Sequence, residues 1–171
     1  MRQRGRSLWF GVLLAGCISQ SPPAPAPRWF DPTPVPTAVR PALPPLRVAG
    51  APFLRQEFVV RVGPRELAVD ELHRWTAAPE RLVARTLGVP DSSYGGSNAA
   101  VEVLVTRFEL DTTAAPRAVI EVTIDAGGHA RAVTVDAVAA GREPEQVAAA
   151  MADALAKLPA ALAAALGDAQ R

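Results

Sequence analysis

Hydrophobic positions along the chain follow two different periods. Between residues 118 and 138 the period is two: Ile120, Val122 and Ile124 alternate with Glu121, Thr123 and Asp125, and Val133, Val135 and Ala137 continue an apolar side. Alternation of this kind marks strands, the first with one wet face, and Gly127-Gly128 between them has the composition of a two-residue hairpin turn. Farther along, Val147, Met151, Leu155, Leu158, Leu162 and Leu166 recur at spacings of four, four, three, four and four. Only a helix brings such positions onto one stripe. Pro144 suits its first turn and Gly167 its end. Pro159 removes the hydrogen bond to the Leu155 carbonyl and is expected to kink or divide the helix. The stripe reads as core-facing, while the alanine-rich opposite side leaves room for a partner or a membrane surface.

Upstream the pattern is more broken. Phe58, Val60 and Val62 alternate with Val59 and Arg61, which predicts a strand, and Leu67 to Val69 predicts a short partner after the turn at Gly63-Pro64. Thr76 can cap a helix whose first turn holds Pro79 and Glu80, whose apolar stripe is Leu82, Val83 and Leu87, and which Gly88 can end. The run Pro90–Ala99 is rich in turn formers and predicts an exposed loop. Val101 to Leu110 then reads as a central strand, with Val101, Val103 and Val105 on one buried face and Leu104, Phe108 and Leu110 on the other. These elements make one α/β domain over residues 47–170, with two main helices at about residues 76–87 and 144–166.

Composition changes sharply before that domain. Ten of the 17 prolines lie between Ser19 and Leu46, a density that favours polyproline II or loose coil over ladders that need backbone donors. At about 3.1 Å per residue such a tether would reach on the order of 90 Å. Trp29-Phe30 interrupts it, either docking on the domain or standing exposed. Before the tether, Arg2, Arg4 and Arg6 precede a short apolar run from Leu8 to Ala15. This is the layout of a secretory signal, and the run is far below the roughly 20 residues that span a bilayer. It ends in Leu14-Ala15-Gly16-Cys17, which resembles a bacterial lipobox and contains the only cysteine in the chain. A lone cysteine in an exported protein cannot form an internal disulfide, and acylation would remove the free thiol. The expected organisation is a signal over residues 1–16, a lipidated tether over residues 17–46, and the domain.

Loss of residues 1–16 also changes the charge, because they hold three of the 18 basic and none of the 17 acidic groups, leaving a formal charge of −2. The precursor's pI near 8.0 therefore gives no argument for nucleic-acid binding. Ile18 follows the cysteine where an aspartate would signal retention, so the lipoprotein sorting pattern implies the periplasmic face of the outer membrane.

Candidate chemistry is sparse. His73 and His129 fall in different predicted loops without a partner at metal-ligand spacing. Ser92, Ser93 and Ser97 lie outside any Gly-x-Ser-x-Gly elbow, and neither nucleotide-binding glycine motif occurs. Glu109 and Asp111 beside Arg107 read as outward, solvated ion-pair partners. The chain therefore reads as a non-enzymatic binding protein with no cofactor and no metal; a secreted hydrolase is the remote alternative.

The order of features resembles the ABC-type transport auxiliary lipoproteins of the PqiC-like group. The resemblance runs through Phe53-Leu54-Arg55-Gln56-Glu57-Phe58-Val59-Val60-Arg61, the Trp75-x-x-x-Pro79 pattern with Leu82 and Leu87, the strand ending Arg107-Phe108-Glu109-Leu110-Asp111, and the helix Val147–Leu155. The proline-rich tether and Pro159 depart from it, and the family's first strand, which carries an aromatic, has a counterpart only if Trp29-Phe30 supplies it. The resemblance implies a mixed sheet with two helices packed on it. It also implies an outer-membrane lipoprotein working with an inner-membrane ABC permease and a periplasmic MCE-domain protein in lipid transport. A structural envelope-biogenesis lipoprotein that scaffolds a complex without handling lipid is the competing reading, and homo-oligomerisation stays open. Beyond Cys17, the candidate contacts to partner or lipid are Trp75, Trp29 and Phe30, with core packing the preferred role for Trp75.

Overall fold

The computed structural model describes residues 24–34, 41–90 and 101–169. Its longest strand, β5 (Val101–Asp111), organises the sheet. On one side β5 pairs antiparallel with β6 (Arg117–Ala126), which pairs antiparallel with β7 (His129–Val138). Its other side is shared. The first half lies parallel to β2 (Leu46–Gly50), and Leu110 and Asp111 lie parallel to Val60 and Arg61 of β3 (Glu57–Gly63). β3 continues antiparallel to β4 (Glu66–Trp75), and β1 (Arg28–Phe30) adds in parallel to the end of β4. The seven described strands thus form one mixed sheet. Two helices, α1 (Pro79–Leu87) and α2 (Pro144–Ala169), pack on it, α1 against β2 and β5 and α2 against β6 and β7. The α/β architecture expected from the sequence is the one observed.

The predicted hairpin is present: Gly127 and Gly128 take φ of 66° and 87°, the left-handed pair that a twist-matched two-residue turn requires. All six residues of the α2 stripe are buried. Although α2 contains a window long and apolar enough to cross a membrane, that stripe covers the sheet, as a core helix does. Pro159 does not divide it; α2 is one span. The proline forfeits one backbone bond, but Leu155, Leu158 and Leu162 are all fully buried around it, and helices in proteins are held chiefly by such packing.

Four expectations need correction. Thr76 is not the cap of α1: the helix starts at Pro79 behind Ala78, which is extended at φ −60° and ψ 146° with no side-chain cap. Proline excludes helical geometry from the residue before it and is itself well placed at the first helical position. The partner of β3 is not a short Leu67–Val69 piece but the ten-residue β4, which holds His73 and ends at Trp75. Its pairing jumps from Phe58↔Asp70 to Glu57↔Arg74, so Glu71–His73 bulge out of register. The Asp70 carboxylate accepts from the Leu72 N–H at 3.0 Å and meets His73 Nδ1 at 2.6 Å, which folds the bulge locally. In β5, Leu104 does not share a face with Phe108 and Leu110. The register shifts between Val105 and Arg107, and this β-bulge inverts the alternation, so Val103, Val105, Phe108 and Leu110 all face the core while Leu104 is exposed.

The fourth correction concerns the tether. Arg28–Phe30 belongs to the sheet, with Arg28↔His73, Trp29↔Arg74 and Phe30↔Trp75 in register. The Thr76 N–H donates to Phe30 O at 2.9 Å, Arg28 pairs with Glu145 on α2, and Pro32 is fully buried. Only the chain before Arg28 is left to span toward Cys17, which itself lies outside the described residues, as does most of the Pro90–Ala99 run.

Candidate functional site

The helices cover one face of the sheet, and the opposite face carries the polar chemistry. Its centre is Glu109, only 4 % exposed although it points away from the helices. Two guanidinium groups enclose it. Arg61 from β3 donates through Nε at 2.6 Å and Nη2 at 3.1 Å, and Arg107 donates through Nε at 2.9 Å. Arg107 also reaches Asp111 at 3.3 Å, and Arg61 reaches the Pro64 carbonyl at 3.3 Å. The expectation of an ordinary solvated carboxylate is therefore wrong for Glu109. Arg107 and Glu109 share a face as residues two apart, the bulge before them turns that face away from the helices, and the parallel β3–β5 step brings Arg61 across a strand gap that local reading does not reveal.

The cluster cross-links β3 to β5. The hydrogen bond to Glu109 raises the Arg61 pKa above its ordinary value and keeps this cation charged. Asp111 is shifted the other way, chiefly because the Thr113 hydroxyl and N–H donate to its carboxylate. A lowered carboxylate pKa stabilises the fold above its unfolded value and loses that contribution as pH falls through the folded one. Replacing Glu109 by alanine should cost about 3 kcal/mol, near the low end for breaking a buried pair, because Arg61 and Arg107 side chains remain 20 % and 28 % exposed and can turn toward water. Urea unfolding of the Glu109→Ala, Arg61→Ala and double variants would check it; additive losses would show that the pair is uncoupled.

Beside the cluster lies a shallow recess of about 110 Å³ whose apolar walls are Phe53, Leu54, Val59, Leu67 and Val69. Phe53, Leu67 and Val69 are among the exposed large apolar side chains of the molecule. Such a surface can hold an apolar or amphipathic partner. The Thr106 hydroxyl in its lining donates to the Glu121 carboxylate at 3.0 Å, and among the described residues no group of three His, Cys, Asp or Glu is arranged to hold a metal.

The aromatic candidates separate. Trp75 is 1 % exposed, stacked on Phe58 at 3.9 Å between ring centroids and edge-on to Phe108 at 5.4 Å. It is a core residue. Phe30 packs against Phe58 and His73 at 5.3 and 5.8 Å, docking the tether on the domain. Trp29 is exposed on the edge strand, with Arg74 over its ring at 5.9 Å. His73 is half-buried in this aromatic group, and His129 is exposed at the start of β7.

No family model matches the chain, and no curated protein matches it. Solved structures do. Protein XCC0632 from Xanthomonas campestris, described under the family model DUF330, aligns with a TM-score of 0.59 at 20 % identity, over 84 % of this chain and 100 % of that one. A second, described as an uncharacterized protein, aligns with a TM-score of 0.52 at 16 % identity over 71 % and 88 % of the two chains. At these identities the likeness is one of fold.

Proposed function

We propose that this protein is a non-enzymatic outer-membrane lipoprotein that serves as the accessory component of an ABC/MCE-type lipid transport system. The observation that carries this reading is β1. The family resemblance calls for a first strand bearing an aromatic, which the proline-rich sequence hides, and Arg28-Trp29-Phe30 forms a strand paired with β4. The mixed sheet with two helices that the resemblance implies is also the observed fold. The likeness to a DUF330 protein supports the fold that this reading requires. In it, Cys17 supplies the anchor and the open sheet face supplies a docking surface.

The test is to capture the lipidated protein from membranes and identify what accompanies it. Copurification of an MCE-domain protein and an ABC permease is the expected result. Envelope proteins without lipid or permease would favour the scaffold reading, and neither lipid nor MCE-domain partner would sink the transport reading.

A further inference from the structure

Among the described residues, the outer edge of β4 is unpaired over most of its length. β3 occupies one side of the strand, but on the other β1 covers only His73–Trp75. β1 cannot be prolonged backward as a regular ladder strand, because Pro27 and Pro25 lack the N–H that pairing needs. Along Glu66–Leu72 the outer edge therefore meets no backbone partner among the described residues.

Hydrogen-bond parity shows which groups point outward. The Thr112 N–H donates to Arg61 O at 2.9 Å, so the Arg61 backbone faces β5. Its register partner Leu67 must then belong to a pair that exchanges no hydrogen bonds, and Leu67 and Val69 direct their N–H and C=O groups away from β3. Their side chains stand on the open sheet face as walls of the recess described above. Natural edges are usually blunted by lysine, proline or brevity. The regular part of this one, Glu66–Asp70, contains neither residue type and exposes Leu67 and Val69 at 49 % and 43 %, while Leu72 in the bulge beyond it is 42 % exposed. The Glu71–His73 bulge limits pairing at one end only.

Charge decides the occupant. The edge segment carries Glu66, Asp70 and Glu71 and no base, and among the described residues Asp70 alone of the three is engaged, by His73 and the Leu72 N–H. In an antiparallel pairing of two copies centred on Ala68, Glu66 would face Asp70 twice, and like charges directly opposite oppose pairing. We infer that the outer edge of β4, Glu66–Leu72, accepts an extended segment of another protein as an added strand, a segment in which Lys or Arg alternates with apolar residues. Its backbone bonds to Leu67 and Val69, its apolar side chains extend the recess wall, and its bases meet the acidic row. The inference goes beyond the transport reading and does not depend on it, since a scaffold could use the same edge.

The test uses the full lipidated chain in detergent micelles and labelled octapeptides followed by fluorescence anisotropy. An alternating Lys-Val peptide should bind at least tenfold more tightly than an alternating Glu-Val or Lys-Gly peptide. Val69→Pro removes an N–H that β3 does not use and should weaken binding at least tenfold with the melting temperature little changed. Should that variant fail to fold, Val69→Lys, at an exposed position, should produce the same loss by repulsion. Equal binding of the three peptides, or binding unaltered in either folded variant, would overturn the proposal. So would a dimer of the full chain that Val69→Lys dissolves, which would make a second copy the occupant. Because no transport partner enters the assay, its failure leaves the membrane capture experiment standing.

Discussion

On the proposed lipoprotein reading, serine in place of Cys17 should move the protein from the membrane to the soluble periplasmic fraction, with at least a tenfold fall in the membrane-bound share. A thiol is what the lipobox pattern offers for acylation, and the serine hydroxyl is no substitute for it. The effect is large because acyl burial contributes about 0.8 kcal/mol per CH₂: one chain holds reversibly, and two or more hold stably. The apolar stripe of α2 could not compensate, since it is buried against the sheet. Fractionation followed by immunodetection measures the outcome, and a Cys17→Ser protein that still pellets with membranes would remove the anchor from the argument. The sheet also limits what the anchor allows. Eleven peptide steps separate Cys17 from Arg28 of β1. They span at most about 40 Å when fully extended, against the roughly 90 Å of an undocked tether. An anchored domain would therefore work close to its own leaflet, and a partner from the opposite membrane would have to cover most of the gap.

What sequence could reveal here depended on whether the deciding contacts were local. The β6–β7 hairpin and α2 were legible because alternation, two glycines and a 3.6-residue stripe lie within one window. So was the end of α1, where Gly88 adopts φ 75° and its N–H returns to the last turn. β4 was not, because its Asp70-folded bulge breaks the alternation in the middle of the strand. In β5 a single extra residue at Thr106 inverts the phase, and the Thr106 hydroxyl, which donates to the Glu121 carbonyl at 3.2 Å, becomes interpretable only once β6 is in place. Glu109 illustrates the same limit for the site. Its outward direction could be read from the pattern, but its burial depends on Arg61, 48 residues away on a parallel neighbour. β1 is the extreme case, since a three-residue strand within a proline-rich stretch has no periodicity of its own and exists through β4 and Phe58.

Trp75→Ala is expected to cost about 3–5 kcal/mol, a large part of the 5–15 kcal/mol that holds a typical domain together. Trp75 is where four strands meet in side-chain or backbone terms. Its ring lies between Phe58 of β3 and Phe108 of β5, its backbone is in register with Phe30 of β1, and it closes β4 itself. The Gln56 side chain donates to its carbonyl at 2.9 Å, and its own N–H donates to Gln56 O at 2.8 Å. Its indole Nε1, by contrast, has no hydrogen-bond partner among the described residues. That asymmetry makes phenylalanine the informative substitution. Trp75→Phe keeps a flat ring against Phe58 and removes the unpaired N–H, whose burial is itself unfavourable. The loss should then stay near 1 kcal/mol, far below that of alanine. Urea unfolding followed by tryptophan-independent circular dichroism gives both numbers, and the phenylalanine variant remains measurable if alanine prevents folding. A residue that acts through a partner would behave differently: Trp75→Phe would leave stability intact while abolishing membrane-complex capture. That pattern would require the indole to leave the core in the assembled state, and would make the tether strand β1, which lies against it, the element that moves.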